Sequence, residues 1–172
     1  MSEHDTPEVP EILTKKTSMQ LAPEELEERI LKFLASRRLC VLSTCRDNVP
    51  RSTPILYRSK GYTLYMAGEP GHKLGNIKLN PKVSVGIFDP KAEFSEDWHD
   101  ITGLQISGHA ILIGKQDPGF QEAFKLFGRP QAWAEHWFGM MIEVIPDSIE
   151  LLSMAFKLEN YAARQIWERP GL

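Results

Sequence analysis

The stretch Leu39–Ala67, LCVLSTCRDNVPRSTPILYRSKGYTLYMA, decides the fold. Leu39–Cys45 is an apolar, β-branched run, and Arg46-Asp47-Asn48 supplies a turn. Arg51–Arg58 is a second run, closed by Ser59-Lys60-Gly61, and Tyr62–Ala67 is a third, ending at Gly68-Glu69-Pro70-Gly71. Links this short join antiparallel neighbours, because parallel strands need a long crossover. The three runs therefore read as a meander.

Working outward, the chain before this meander predicts one amphipathic helix. Pro23 with Glu24 and Glu25 after it makes a favourable start, and Leu26, Ile30, Phe33 and Leu34 recur at helical spacing up to Ser36-Arg37-Arg38. Residues 1–20, with clustered polar groups and no periodicity, read as a flexible N-terminal arm that packing on the body or on a partner could order. After the meander come a short helix at Lys73–Leu79, stopped by Asn80-Pro81, and strands at Val83–Phe88 and Ile101–Ile113 around a charged loop. Gly103 and Gly108 in the longer strand are places for a bend or bulge. Helical segments at Gly119–Phe127 and Gln131–Trp137 precede two last strands, Met140–Ile145 and Ser148–Met154, joined by Pro146-Asp147; Lys157–Leu172 gives no clear pattern. Six or seven antiparallel strands with few helices favour a mainly β fold, a split β-barrel, with residues 21–172 as a single domain.

Composition narrows the function. The chain has 172 residues, 42% of them hydrophobic and 25% charged, which suits one globular domain. A net charge of −3 argues against a protein whose task is to grip a nucleic-acid backbone. No apolar run approaches the roughly 20 residues that span a bilayer, and the acidic start is unlike a signal peptide, so no membrane role and a cytoplasmic location are expected. Cys40 and Cys45 would point to opposite faces of one strand, which is neither a CxxC pair nor a disulfide framework.

The chemistry concentrates between Val49 and Pro81. Arg51, Ser52 and Thr53 open one strand, and Gly71-His72-Lys73 opens a helix after the next. In an antiparallel hairpin the start of one strand lies beside the end of the following one, so the two groups should converge. Cationic donors, hydroxyls and the free N–H groups of a helix start make a phosphate site. The same residues would equally suit a polar barrel rim with solvated cations.

Residues 24–113 resemble the pyridoxamine 5′-phosphate oxidase-related family of FMN-binding split barrels. The resemblance rests on the leading helix, LCVLSTC, Pro50-Arg51-Ser52-Thr53-Pro54, Gly71-His72-Lys73 and the run Lys73-Leu74-Gly75-Asn76-Ile77-Lys78-Leu79-Asn80-Pro81-Lys82-Val83-Ser84-Val85. It implies FMN as cofactor, with deazaflavin used by related barrels and haem by others. It also implies a homodimer with the flavin at the subunit interface and a small-molecule redox substrate. Arg51 and the backbone of Ser52, Thr53 and Pro54 would lie along the ring and ribityl chain, Met66 and Ala67 would touch the flavin, and Lys73 would be the main phosphate cation. His72 stands where many relatives carry Arg, which weakens the fixed charge, because a neutral imidazole only hydrogen-bonds. Authentic oxidases of this family resemble one another in a late Glu-Phe-Trp and Arg-x-His segment; here the strand reads Ile149-Glu150-Leu151-Leu152 and no such segment follows. Vitamin B6 oxidation is therefore not expected.

Other residues carry weaker signals. Gln105 could offer amide groups to a flavin edge. Trp133 and Trp137 share a helix face beside Phe138, for which core packing is the commoner use and covering a cofactor or a dimer seam the other. His99 among Glu96, Asp97 and Asp100 lacks metal-ligand spacing, and His109 reads as a satisfied rim residue. Arg164 and Trp167 could reach a neighbouring subunit's flavin. The function expected is an FMN-dependent oxidoreductase. A non-catalytic flavin or haem binding protein, with His99 or His136 as axial ligand, is the alternative.

Overall fold

The computed structural model describes residues 10–136 and 139–171. The expected meander is present as β1 (Leu39–Arg46), β2 (Val49–Lys60) and β3 (Thr63–Gly68). Asp47 and Asn48 both take positive φ, 51° and 60°, as a two-residue type I′ hairpin turn requires. The sheet continues through β4 (Lys82–Phe88), β5 (Thr102–Ile113), β6 (Met140–Ser153) and β7 (Arg164–Glu168) in the order β3-β2-β1-β4-β5-β6-β7. Pairing of β3 with the first half of β6 closes six of these strands into an antiparallel barrel, and β7 is added to the second half of β6.

Alternation along the strands points one set of side chains inward. Cys40, Leu42, Val85, Leu104, Ile106 and Val144 fill the barrel. The helix α2 (Pro23–Ser36) covers this core with Leu26, Ile30 and Leu34, and the Tyr57 hydroxyl donates to Leu34 O at 2.9 Å. Each such fully buried Leu or Ile contributes about 1.5–3 kcal/mol relative to exposure. Phe33, read as part of the same stripe, is only partly buried.

One expectation is corrected, and two readings left open are resolved. The two last strands are one: β6 runs through Pro146-Asp147, because the β5–β6 register shifts between Ser107 and Gly108 and a bulge at Asp147 carries the strand past the proline, which pairs with Gly108. A Cβ on Gly108 would lie 2.3 Å from Ile145 O, so only glycine lets the two backbones approach there. The arm is packed from Glu11 onward. α1 (Glu11–Thr14) buries Ile12, Lys157 Nζ donates to Ile12 O at 2.9 Å, and the buried Gln165 side chain accepts from Leu21 N at 2.8 Å. The uncertain tail holds β7, whose Trp167 is buried and stacks on Tyr62 with ring centroids 4.2 Å apart.

Between β5 and β6 the chain makes two short helices, α4 (Phe120–Lys125) and α5 (Gln131–His136). These have a small core of their own, built from Ile113, Phe120, Ala123, Phe124, Ala134 and Met141. Trp137 and Phe138 lie outside the described residues.

Candidate functional site

The helix α3 (His72–Leu79) follows Gly71, whose φ of 152° is glycine territory. Its position is set by a buried hydrogen bond, Asn76 Nδ2 to Thr44 Oγ1 at 3.0 Å. Thr44 pairs in register with Arg51 of β2, and Asn76 lies one helical turn beyond His72. That one bond therefore carries the start of α3 to the start of β2. At the other end of the helix Asn80 Nδ2 donates to Cys45 O at 3.0 Å, and Asn80 Oδ1 accepts from Lys82 N at 3.2 Å. The Asn-Pro of the sequence motif is thus the clamp that ends α3 and starts β4.

Two hollows result. The first is a polar cup of about 380 Å³, walled by Arg46, Asp47, Val49, Pro50, Arg51, His72 and Asn76. The second is a longer apolar slot of about 450 Å³. Residues 53–56 of β2, Ala67, Glu69 and Lys73 form its floor, and Phe124, Phe127, Arg129 and Trp133 form its outer wall. Lys73 Nζ donates to Glu69 O at 3.1 Å, which holds the ammonium at the end of the slot nearest the cup.

The residues picked from the sequence divide as follows. Arg51 and His72 meet in the cup, while Thr53, Pro54, Ala67 and Lys73 line the slot. Met66 is fully buried in the barrel core and lines neither hollow. Ser52 is exposed on the outer face of the sheet, its hydroxyl 3.4 Å from that of Ser43. Gln105 is exposed on that same face beside Val41, Gly86 and Leu152, in neither hollow. Trp133 is 54% exposed, so of the two uses weighed for it core packing is excluded, and the side chain walls the slot. Trp167 is occupied in its own subunit, its indole N–H 3.3 Å from Glu27 Oε1, and Arg164 pairs with Glu150 at 3.1 Å. His109 Nδ1 lies 3.3 Å from Asp147 Oδ1, and His99 pairs with Asp97. No group of three His, Cys, Asp or Glu suited to a metal occurs among the described residues.

Sequence reasoning missed Phe124, Phe127 and Arg129. Behind them Tyr65 donates to Glu143 Oε1 at 2.8 Å, and burial, then this bond, push its phenol up to about 12. The cup and slot together offer fixed cations at one end and a flat apolar chamber at the other. Such a pair suits a planar molecule with an anionic tail.

The fold has many solved relatives. An FAD-binding protein from Mesorhizobium loti superposes with TM-score 0.58 at 17% identity, over 75% of this chain and 90% of that one. An FAD-binding protein from Mycobacterium smegmatis gives TM-score 0.53 at 21% identity, over 75% and 93%. A haem-binding protein from Mycobacterium smegmatis gives 0.64 at 15% identity, over 86% of this chain and 59% of that one. At these identities the likeness concerns the fold. In sequence, an uncharacterised protein from Rhizobium meliloti is 39% identical over 64 residues, 37% of this chain, which spans only 40% of that curated relative's length. Among the described residues no helix is long and apolar enough to cross a membrane. The family model for pyridoxamine 5′-phosphate oxidase matches residues 26–151, the whole barrel from α2 into the second half of β6, and the chain belongs to that family.

Proposed function

We propose that this protein binds FMN, with the phosphate between Arg51, His72 and Lys73 and the ring in the slot, and uses it as a cytoplasmic oxidoreductase. The observation that carries the reading is the adjacency of the two hollows: a cationic cup at the start of α3 opening beside an apolar slot of about 450 Å³. A phosphate dianion fits the cup because Arg51 has no carboxylate partner among the described residues and α3 directs free N–H groups there. A tricyclic ring fits the slot because its floor is strand backbone and its wall is aromatic. The flavin would supply the redox chemistry; the chain binds and orients it and, through Phe124, Phe127 and Trp133, keeps water from one side. Vitamin B6 is not the substrate proposed, because Leu152 and the strand around it lack the family's substrate-handling residues.

We place the second copy on the outer face of the sheet. Ser52, Ser43, Ser84, Ser107 and Ser148 form one row across five strands, each in register with the next. Exposed Leu39, Leu56, Phe88 and Ile166 flank it. A flat face of small side chains edged by apolar ones suits a self-complementary dimer. Gln105 lies on this face and would serve the partner's cofactor rather than its own. The free thiols Cys40 and Cys45 fit a reducing cytoplasm.

The test is direct. The purified protein should show a flavin spectrum or acquire one on adding FMN, and Lys73→Ala should weaken FMN binding about tenfold or more. A protein that stays colourless with added FMN overturns the proposal, and a deazaflavin or Soret spectrum would redirect it. Ser84→Arg should convert a dimer to a monomer in sedimentation. A wild type already monomeric removes the dimer.

A further inference from the structure

The arginines of this chain fall into two groups. Arg29, Arg37, Arg46, Arg164 and Arg169 each lie within ion-pair distance of a carboxylate. Arg38, Arg51, Arg58 and Arg129 have no such partner among the described residues; Arg51 walls the cup, whereas the other three lie near one another, with Arg58 and Arg129 at the end of the slot away from Lys73. Arg129 lines the slot, its guanidinium 5.4 Å from the centre of the Trp133 ring. Arg58 is half-buried, 5.3 Å over the Phe127 ring, with Nη1 donating to Tyr57 O at 2.8 Å. Burial lowers the Arg58 pKa most, and the positive charges of Arg38 and then Arg129 lower it further. Three like charges gathered without a counter-ion are unfavourable unless an anion joins them, and guanidinium groups bind carboxylate and phosphate in a bidentate fork.

This cluster is too far from the cup to serve the same anion. Arg51 and Arg58 are seven residues apart on one strand, about 23 Å at the usual rise. Between them the slot presents Phe124, Phe127 and Trp133, which favour a flat apolar body.

We infer that the Arg58–Arg129 end of the slot binds the anionic group, carboxylate or phosphate, of a flat apolar substrate whose body lies against Phe127 and Trp133. This rests on the flavin reading, in which the Lys73 end is taken by the cofactor. Arg129 is the main determinant, because it is exposed and lines the slot directly; Arg58 supports it from β2.

The experiment uses three probes on the full chain, with and without FMN: 2-naphthoate, 2-naphthyl phosphate and neutral 2-naphthylmethanol. Calorimetry should show at least one anion binding about tenfold or more tighter than the alcohol, and the ratio of the two anions tells carboxylate from phosphate. Arg129→Gln, a change on an exposed loop, should abolish that preference while leaving the alcohol within about twofold and lowering FMN affinity by a smaller factor than it lowers the anion's. Arg129→Glu should reverse the preference. Equal affinity for anions and alcohol overturns the inference, as does a preference that survives both Arg129→Gln and Arg58→Gln. An Arg129→Gln protein that loses FMN by the same factor also overturns it, because the cluster would then serve the cofactor. Absence of FMN binding with the anion preference intact would instead sink the flavin reading and support the anion site.

Discussion

The cup and the slot differ in how they are built. Every residue around the cup lies between Arg46 and Asn76, on β1, β2, α3 and the turns joining them. The slot takes its floor from the same stretch but its wall from residues 124–133, on a helical pair inserted between β5 and β6. The cup and most of the floor rest on the barrel core, whereas the wall rests on a second, smaller core, against which Ala67 of the floor also packs. On the flavin reading proposed above, anchoring of the anion would belong to the barrel, and selection of what lies over the ring would be delegated to an attachment that can vary without disturbing it.

The sharpest way to break this comparison is to cut each core in turn. Leu42 is fully buried on β1, and Leu42→Ala should lower global stability by about 2–5 kcal/mol in denaturant unfolding. Cup and slot should then be lost together. Phe124→Ala empties the attachment's core; that unit should open without the barrel, so the global loss should stay at about 1–2 kcal/mol, below the usual cost of such a truncation. Its larger effect should be local: hydrogen exchange across residues 115–136 should accelerate while β1 and β4 stay protected. Equal shifts of the unfolding midpoint in the two variants would mean that barrel and attachment are one cooperative unit.

A smaller effect should come from the bond that sets the cup. Asn76→Ala leaves the Thr44 hydroxyl buried without its partner, at about 1–3 kcal/mol. Phosphate affinity should fall with it, because His72 and Lys73 lose their register against Arg51, whereas naphthylmethanol binding in the slot should not change. The double change Thr44→Val with Asn76→Leu should cost less than the sum of the single changes. Full additivity would show that the bond does not position α3.

The same division explains what could be read from the sequence. The meander, α3 and the cup were legible because they are local: hairpin turns fix register, and two residue groups joined by one hairpin must meet. The roles of Asn76 and Asn80 were hidden, since the motif gives their spacing but not that their amides reach Thr44 and Cys45 on β1. The slot wall was illegible for a different reason. Phe124, Phe127 and Trp133 show ordinary helical apolar spacing, which cannot say whether an aromatic fills a core or lines a cavity. The continuity of β6 was likewise masked, because Pro146 reads as a break until Gly108 on the neighbouring strand is seen to accept a bulge. Gln105 was chosen for its chemistry on a strand whose outward phase puts it on the far face.

Alkaline pH should separate the two regions most gently. In the barrel, burial pushes the Cys40 thiol up from 9.0 to about 12, and it raises the Tyr57 phenol well above its ordinary range. Under the attachment, Tyr65 is raised from 10.0 to about 12. All three are acids held protonated by folding. Stability from them is complete below the pH at which the unfolded chain ionises, and it is lost as pH rises towards the folded values, because the unfolded state then binds fewer protons. Unfolding midpoints should therefore be flat through neutrality and decline from about pH 9 upward. Cys40→Ala should delay the onset to about pH 10, where the tyrosines begin to titrate when unfolded. Tyr65→Phe should leave the onset unchanged and reduce the slope above pH 10, with hydrogen exchange in residues 115–136 becoming less pH-sensitive than in wild type. A Cys40→Ala protein that declines between pH 9 and 10 as the wild type does would show that the barrel does not hold its thiol protonated.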